Sequence, residues 1–489
     1  MSHKVLIDNL QHEILYNHLV TGFEIIETHL SWVMLTGPYA YKIKKPFNLG
    51  FNDFTTLEKR KHYCELELSL NKVLAPDLYL NLVAISGTEL NPILHDPITD
   101  DIPNVIEYAI KTNQFDQNNL LSHLNKNNKL NCAILDSIAK QCADFHSKTP
   151  ACDPHQVCGS LEAIFDPVQD NFDTLKKSII LEPILIQWTQ AEYESLKPLL
   201  IQRKKKEFIR ACHGDLHLGN IVMIEDTPVI FDCIEFNEFF RWIDVISDIA
   251  FLAMDLEETN HPLLSNYFVN RYCEYTGDYE GLLLLVFYKA YRALIRAKIA
   301  AFNGDHPKLH RLIELALSYT CDKQATLSIT FGPSGAGKSH YTACLPNSIR
   351  LRSDVIRKQL MGLPSHQSAT EEQKIALYSK EATLKLYHYL RDTAQLLLTH
   401  NISVVVDATC LKKWQRALFQ TLAQQLNIPF TILEFEFHPD LLKNHILQRQ
   451  MQEDHSSDAT LSVLEQQLKT MESLSESEKS ATKKIKLED

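Results

Sequence analysis

Apolar and polar positions along the first hundred residues fall into short runs. Residues 23–29, 30–36 and 39–44 read as strands, with Gly37-Pro38 as a tight turn between the last two. A helical period over 57–74 stops at Ala75-Pro76, because proline cannot continue a helix. One more strand, 104–110, precedes mostly helical sequence to Lys206. Short strands and turns fill 208–231, with a hairpin expected from 221–224 through the turn Glu225-Asp226-Thr227-Pro228 to 229–231. Helices then dominate to about Tyr319. From Thr326 the pattern changes. Apolar runs at 327–331, 403–406 and 431–437 alternate with long helical periods such as 372–400, the sign of a parallel α/β sheet. The boundary falls near 321–324. The polar, charged segment from 473 reads as disordered, with 476–489 as a tail.

Length and composition narrow the class. A chain of 489 residues has room for about three compact units. With 45% hydrophobic and 22% charged residues it can bury large cores, and its 14 glycines exclude a collagen-like or linker-dominated protein. The net charge of -12 argues against nucleic acid as partner. The longest apolar run, 281–287, is far below the roughly 20 residues of a membrane span. Eleven scattered cysteines without a C-x-x-C pair argue against a disulfide framework and a cysteine zinc site. A cytoplasmic setting without a membrane partner is expected.

Two segments carry chemistry. Gly332-Pro333-Ser334-Gly335-Ala336-Gly337-Lys338-Ser339 satisfies G-x-x-x-x-G-K-[ST] between a strand and a helix. Its glycines let backbone N–H groups close around ATP phosphates, Lys338 reaches the β- and γ-phosphates, and Ser339 ligates Mg²⁺. Asp407 ends an apolar run and is expected to act on Mg²⁺ or orient an acceptor. Asp354, after 349–353, and Arg357 make a plausible acceptor site, although Asp354 could equally be a helix N-cap.

The other segment is His213-Gly214-Asp215-Leu216-His217-Leu218-Gly219-Asn220, followed by Asp232. Asp215 and Asn220 have the spacing of a kinase catalytic loop. In order, Asp215, Asn220 and Asp232 fit an acceptor base, a metal ligand and a second metal ligand. Two blander readings stand beside this: a His213/His217 zinc pair, against which the two glycines argue, and a polar turn. Lys289, Arg292 and Arg296 share a helix face that could be solvated or could meet an anionic acceptor.

Two resemblances follow. Residues 325–475 resemble the small P-loop kinases, among them polynucleotide, gluconate and zeta-toxin-type kinases. The likeness rests on GPSGAGKS, Ser353-Asp354-Val355-Ile356-Arg357 and Val406-Asp407-Ala408-Thr409. It implies Asp354 as acceptor-side base, Arg357 as an acceptor or phosphate contact, and Arg449, ahead of Ser456-Ser457-Asp458-Ala459, as lid arginine. A second nearby lid arginine is absent. Residues 25–300 resemble the aminoglycoside phosphotransferase and choline kinase-like superfamily through H-G-D-x-H-x-x-N and the 244–250 segment, in which Asp248 would buttress the catalytic loop. That resemblance implies Lys42 (or Lys44) on the ATP phosphates, Glu67 (or Glu65) pairing it, and a hinge at Glu107-Tyr108-Ala109. It departs in having no glycine-rich loop before Lys42. The wording of 30–33, 44–46 and 231–237 resembles a bacterial group that fuses both modules.

The expectation is thus a bilobal, protein kinase-like α+β domain over 1–322 (small lobe 1–110, large lobe 111–322) and an α/β P-loop domain over 323–475. Two ATP- and Mg²⁺-dependent kinase modules would act on small-molecule acceptors. The alternatives are a non-catalytic ligand-binding domain coupled to a P-loop ATPase switch, or a nucleic-acid 5′-end kinase. Neither acceptor nor the oligomeric state can be read from the residues.

Overall fold

A computed structural model describes residues 4–486 apart from 49, 51, 99–101, 322, 365–368 and 451–459, and without the side chains of 371, 439–440 and 448–450. The chain divides into two compact units, Met1–Ile179 with Tyr193–Asp255, and Ile180–Glu192 with Leu256–Asp489.

The first unit is built on an antiparallel sheet of β1 (Glu24–Glu27), β2 (Ser31–Leu35), β3 (Tyr39–Lys44), β4 (Tyr79–Thr88), β5 (Asn91–His95) and β6 (Val105–Asn113), in the order β1-β2-β3-β6-β4-β5. Strand alternation sorts β3 into two faces. Tyr41 and Ile43 join Trp32, Met34, Val83 and Ile85 in the core under the N-terminal helix Lys4–Asn9. Lys42 and Lys44 therefore face the other way, toward the helix Leu57–Leu74, capped at its start by Thr56. That helix buries a polar stripe, Arg60, Cys64, Glu67 and Asn71, at helical spacing. The face it turns inward holds charge.

The sequence reading passed over β4 and β5. β4 buries residues on both sides, so it lacks alternation, and Pro92 in β5 stands on the sheet edge, where a missing N–H breaks no ladder. The hinge expected at 107–109 is also corrected. Those residues lie mid-strand in β6, paired to β4, with Ala109 paired to β3 as well. Arg60 holds the Glu107 carboxylate at 2.8 Å. Farther along come β7 (Ile209–Ala211), the hairpin β8 (Ile221–Ile224) and β9 (Thr227–Ile230), and β10 (Trp242–Asp244), which pairs with β7. The hairpin turn is shorter than expected. Glu225 and Asp226 alone take left-handed angles (φ 46° and 62°), and Thr227 and Pro228 already belong to β9.

The second unit carries the expected parallel sheet: β11 (Leu327–Phe331), β12 (Ile349–Arg352), β13 (Val404–Asp407), β14 (Phe430–Phe435) and β15 (Thr482–Ile485), ordered β12-β13-β11-β14-β15. β11 lies between β13 and β14, and the chain reverses its direction of winding there. Such a switch point opens a crevice at the carboxyl ends of the strands. The helices Pro262–Thr276, Leu285–Phe302 and His306–Ser318 belong to this same unit. The long helical period near 372–400 is two helices, Glu371–Leu377 and Lys380–Leu398, because Ser379 caps the second.

The segment expected to be disordered is ordered through residue 486. Its polar β15 adds to β14, burying Ile485 among Leu433, Phe435 and Ile446. Arg416, fully buried, anchors it. Its guanidinium donates to both Glu478 carboxylate oxygens, at 2.6 and 3.3 Å, and to the carbonyls of Glu472 and Ser473 at 3.3 Å. Burial pushes the Glu478 carboxyl upward, but Arg416 and the Ser475 bonds outweigh it and hold it at about 2. Arg416→Met removes the cation and leaves buried Glu478 with only its Ser475 bonds. The expected loss is about 3 kcal/mol in urea unfolding at neutral pH, with faster amide exchange across Thr482–Ile485.

Candidate active sites

The site of the first unit gathers three separate segments. Lys42 Nζ reaches Glu67 Oε1 at 2.7 Å and Asp232 Oδ1 at 2.6 Å. Lys44 Nζ reaches Glu67 Oε2 at 2.6 Å and also pairs with Glu235. Glu67 thus serves both lysines at once, one on each oxygen. Glu65 is exposed and lies 3.7 Å from Lys61, away from this group. Burial drives the Glu67 carboxyl up, yet the two ammonium groups dominate and hold it at about 2. Burial likewise raises Glu235, and here it outweighs Lys44. Lys42 stays charged far above its ordinary range, since Asp232 and Glu67 overcome its burial. Nothing in the sequence marked Glu235, which lies 191 residues from its lysine.

The catalytic-loop candidates sit on a rigid frame. Asp248 accepts the N–H groups of His213 at 3.0 Å and Gly214 at 2.9 Å, and the His146 ring lies 3.1 Å away. Gly214 needs its left-handed φ of 85°, and a Cβ there would lie 2.7 Å from the Phe240 carbonyl. The Asn220 amide donates to the Asp215 carbonyl and to Asp215 Oδ2, both at 3.0 Å. Asp232 has φ 66°, and the next N–H, of Cys233, is fixed by Asn71 Oδ1 at 2.9 Å. The zinc alternative loses its ligands. His213 Nδ1 accepts the Asp215 N–H and its Nε2 faces the Phe231 carbonyl, so both ring nitrogens are engaged. His217 Nδ1 accepts from Gly219, with its Nε2 3.4 Å from Asp215 Oδ2.

In the second unit a cavity of about 220 Å³ brings Ser334, Gly335, Gly337, Lys338, Ser339, Asp354, Arg357 and Asp407 to one wall system. All follow or end strands at the carboxyl edge of the sheet. Gly335 and Gly337 take left-handed φ of 87° and 76°, and a Cβ on Gly335 would lie 3.0 Å from the Leu442 carbonyl. Lys338 Nζ donates to the Pro333 carbonyl at 2.7 Å, and the Ser334 N–H donates to Gln467 Oε1 at 2.9 Å. Asp407 Oδ2 accepts from Thr342 at 3.2 Å. Asp354 is not the cap of its helix, Ser353–Gln359; it sits in the first turn. Arg357 donates to the Leu377 carbonyl at 2.7 Å and lies over the Tyr378 ring, while its buried Nε has no partner among the described residues.

A Cβ on Gly332 would lie 3.3 Å from Phe435 Cβ, and the Pro333 carbonyl is the one that holds Lys338. Ala336 packs into the core beneath the loop. The Arg449 side chain and the residues 456–459 lie outside the described residues. Sequence reasoning missed Arg352 and Gln467, which also line the cavity. Lys289 is not on a solvated face, since Glu257 holds it at 2.8 Å.

Residues 119–285 match the phosphotransferase enzyme family and residues 327–474 the AAA domain, so both occur in this one chain. The chain is 28% identical over 455 residues to the uncharacterized protein Rv2004c of Mycobacterium tuberculosis, covering 90% of this chain and 88% of that one. The uncharacterized protein Mb2027c of Mycobacterium bovis matches to the same extent. Among solved structures, a GDP complex of aminoglycoside 2′-phosphotransferase-IIIa is 12% identical, covering 65% of this chain and 98% of that one, with a TM-score of 0.39. A choline kinase from Cryptosporidium parvum is 12% identical over 64% and 93%, with a TM-score of 0.40. A gluconokinase from Sinorhizobium meliloti is 18% identical over 33% and 82%, with a TM-score of 0.23. No helix among the described residues is long and apolar enough to cross a membrane.

Lys44→Met tests the charge arrangement at the first site. It leaves Glu235, 5% exposed and already raised by burial, without its cation. A carboxyl whose folded value is raised contributes stability below its unfolded value and loses it as pH rises. The variant should therefore lose about 3 kcal/mol near pH 8, with the deficit narrowing toward roughly pH 5, in urea unfolding followed across pH.

Proposed function

We propose that this chain, which joins a phosphotransferase-family region to an AAA-domain region, is a phosphotransferase with two ATP-dependent modules. Each would move the γ-phosphate of ATP to a hydroxyl of a small molecule. The observation that supports it best is the convergence, from distant segments, of Lys42, Glu67, Asp215, Asn220 and Asp232 in one unit, and of Lys338, Ser339, Asp354 and Asp407 around one cavity in the other.

In the first module Lys42, kept charged between Glu67 and Asp232, binds phosphate oxygens. Asp215, oriented by Asn220, takes the acceptor proton as the acceptor oxygen bonds to the γ-phosphorus and the bond to the β-phosphate oxygen breaks. In the second, Gly332 to Ser339 bind the triphosphate, Asp354 takes the acceptor proton, and Arg357 and Arg449 meet the acceptor or phosphate. Lys338 must leave the Pro333 carbonyl to do this, and Gln467 must yield the Ser334 N–H. The oxygen-only donor sets, Asn220 with Asp232 and Ser339 with Asp407, fit Mg²⁺, which neutralises phosphate charge when bound. The net charge of -12 favours small acceptors over nucleic acid. Eleven free thiols fit a reducing cytoplasm.

One observation favours a second reading, a first unit that binds a ligand without chemistry. The turn from β1 to β2, residues 28–30, contains no glycine to cover phosphates. Purified full-length protein incubated with ATP and a cell metabolite extract separates the two. Asp215→Ala and Lys338→Ala should each remove about a hundredfold or more of one phosphorylation and leave the other. If ATP consumption and every phosphorylated product survive Asp215→Ala but vanish with Lys338→Ala, the first module is not a kinase.

A further inference from the structure

β12 is an edge strand, and an edge leaves backbone groups that need partners. The helix Pro262–Thr276 supplies partners there through Asn266 and Asn270, with Glu274 next at the same spacing of four on one face. Asn270 accepts the Arg350 N–H at 2.7 Å and donates to the Ser348 carbonyl at 3.0 Å. Asn266 donates to the carbonyls of Leu345 and Ser348 at 2.9 and 3.2 Å. The third position is instead a carboxylate, 1% exposed, that takes three guanidinium groups.

Those three cations have different destinations. Arg350 meets Glu274 Oε1 at 2.6 and 2.8 Å and passes its remaining nitrogen to the Ser339 carbonyl at 3.0 Å. Arg271 pairs with Glu274 from the same helix. Arg352 meets Glu274 Oε2 at 3.0 Å and lines the P-loop cavity. In the sheet register Arg352 lies beside Asp407. Burial opposes the charge on Arg352, but the Glu274 and Asp407 carboxylates outweigh it and keep the guanidinium protonated. An arginine at that wall, beside Ser339 and Asp354, is placed to meet phosphate oxygens.

We propose that Glu274 is a positioning residue of the P-loop site: it aims Arg352 at the transferred phosphate and, through Arg350, fixes the backbone of Ser339. Glu274 lies inside the stretch that matches the phosphotransferase family, residues 119–285, yet it serves the site built on residues 327–474. The P-loop site therefore borrows a residue from sequence outside its own family match. This inference rests on the P-loop kinase reading given above.

The test uses the full chain carrying Asp215→Ala, with MgATP turnover measured in metabolite extract and with water as acceptor, alongside equilibrium ATP binding. Lys338→Ala is the reference. If it leaves turnover unchanged, the P-loop reading itself falls and the inference falls with it. Where turnover depends on Lys338, Glu274→Gln and Arg352→Gln are each expected to lower kcat about tenfold to a hundredfold, while ATP affinity changes less than about threefold. The double variant should be no slower than Glu274→Gln alone, because that change already releases Arg352 together with Arg350. Asn270→Ala loosens the same helix edge without touching that charge and should keep kcat within about twofold. Additive losses in the double variant, an equal loss from Asn270→Ala, or normal kcat in Arg352→Gln would each overturn the proposal. Arg352→Gln leaves Glu274 with two cations, so it remains informative if Glu274→Gln fails to fold.

Discussion

A carboxylate removed from water must find cations or hydrogen-bond donors, and each candidate site depends on one that is held by cations. Glu67 holds Lys42 and Lys44; Glu274 holds Arg271, Arg350 and Arg352. In each case the carboxyl sits at about 2 despite its burial, because the cations outweigh desolvation. Such groups contribute little net stability compared with an apolar core, since desolvation offsets most of the attraction. What they fix is geometry. The lysine that can meet a phosphate, and the arginine that lines a cavity, each have only one place to be.

The first site adds a division of labour between its two lysines. They stand two residues apart on β3 and so share a face, which is why the sequence could not choose between them. Lys44 is 1% exposed and closed off by Glu67 and Glu235. Lys42 keeps 21% of its side chain accessible and points to Asp232, itself 39% accessible. The inner pair is sealed in the frame, and the outer pair stays accessible.

Local chemistry was legible and distant pairing was not. The segments 213–220 and 332–339 declare themselves because each motif and the turn it needs are written within eight residues. The helix Leu57–Leu74 was readable from its period and its proline stop. Glu235 and Glu274 were invisible, since Lys44 lies 191 residues from the one and Arg350 and Arg352 lie 76 and 78 from the other, with only Arg271 nearby. β15 was missed for a related reason. Its sequence, Thr482-Lys483-Lys484-Ile485, is polar, and only Ile485 reaches the core. Its order comes from β14 and Arg416, neither of which its own residues announce.

These distant pairs also bear on where one module ends. The two outer strands of the parallel sheet are formed or sealed by sequence beyond the segment that the P-loop motif points to. β15 comes from 482–485, past the family match, and β12 is closed by a helix from 262–276, before it. A sheet with either edge bare would expose backbone groups to water and to other chains. The chain also carries charge -12, yet each candidate site gathers cations. Several of their cations and donors are already engaged: Lys42 by two carboxylates, Lys338 by the Pro333 carbonyl, the Ser334 N–H by Gln467. An anion entering either site would have to exchange these partners. Such exchange favours a ligand that brings several anionic oxygens and its own cation, because a single weak acceptor cannot replace what it displaces.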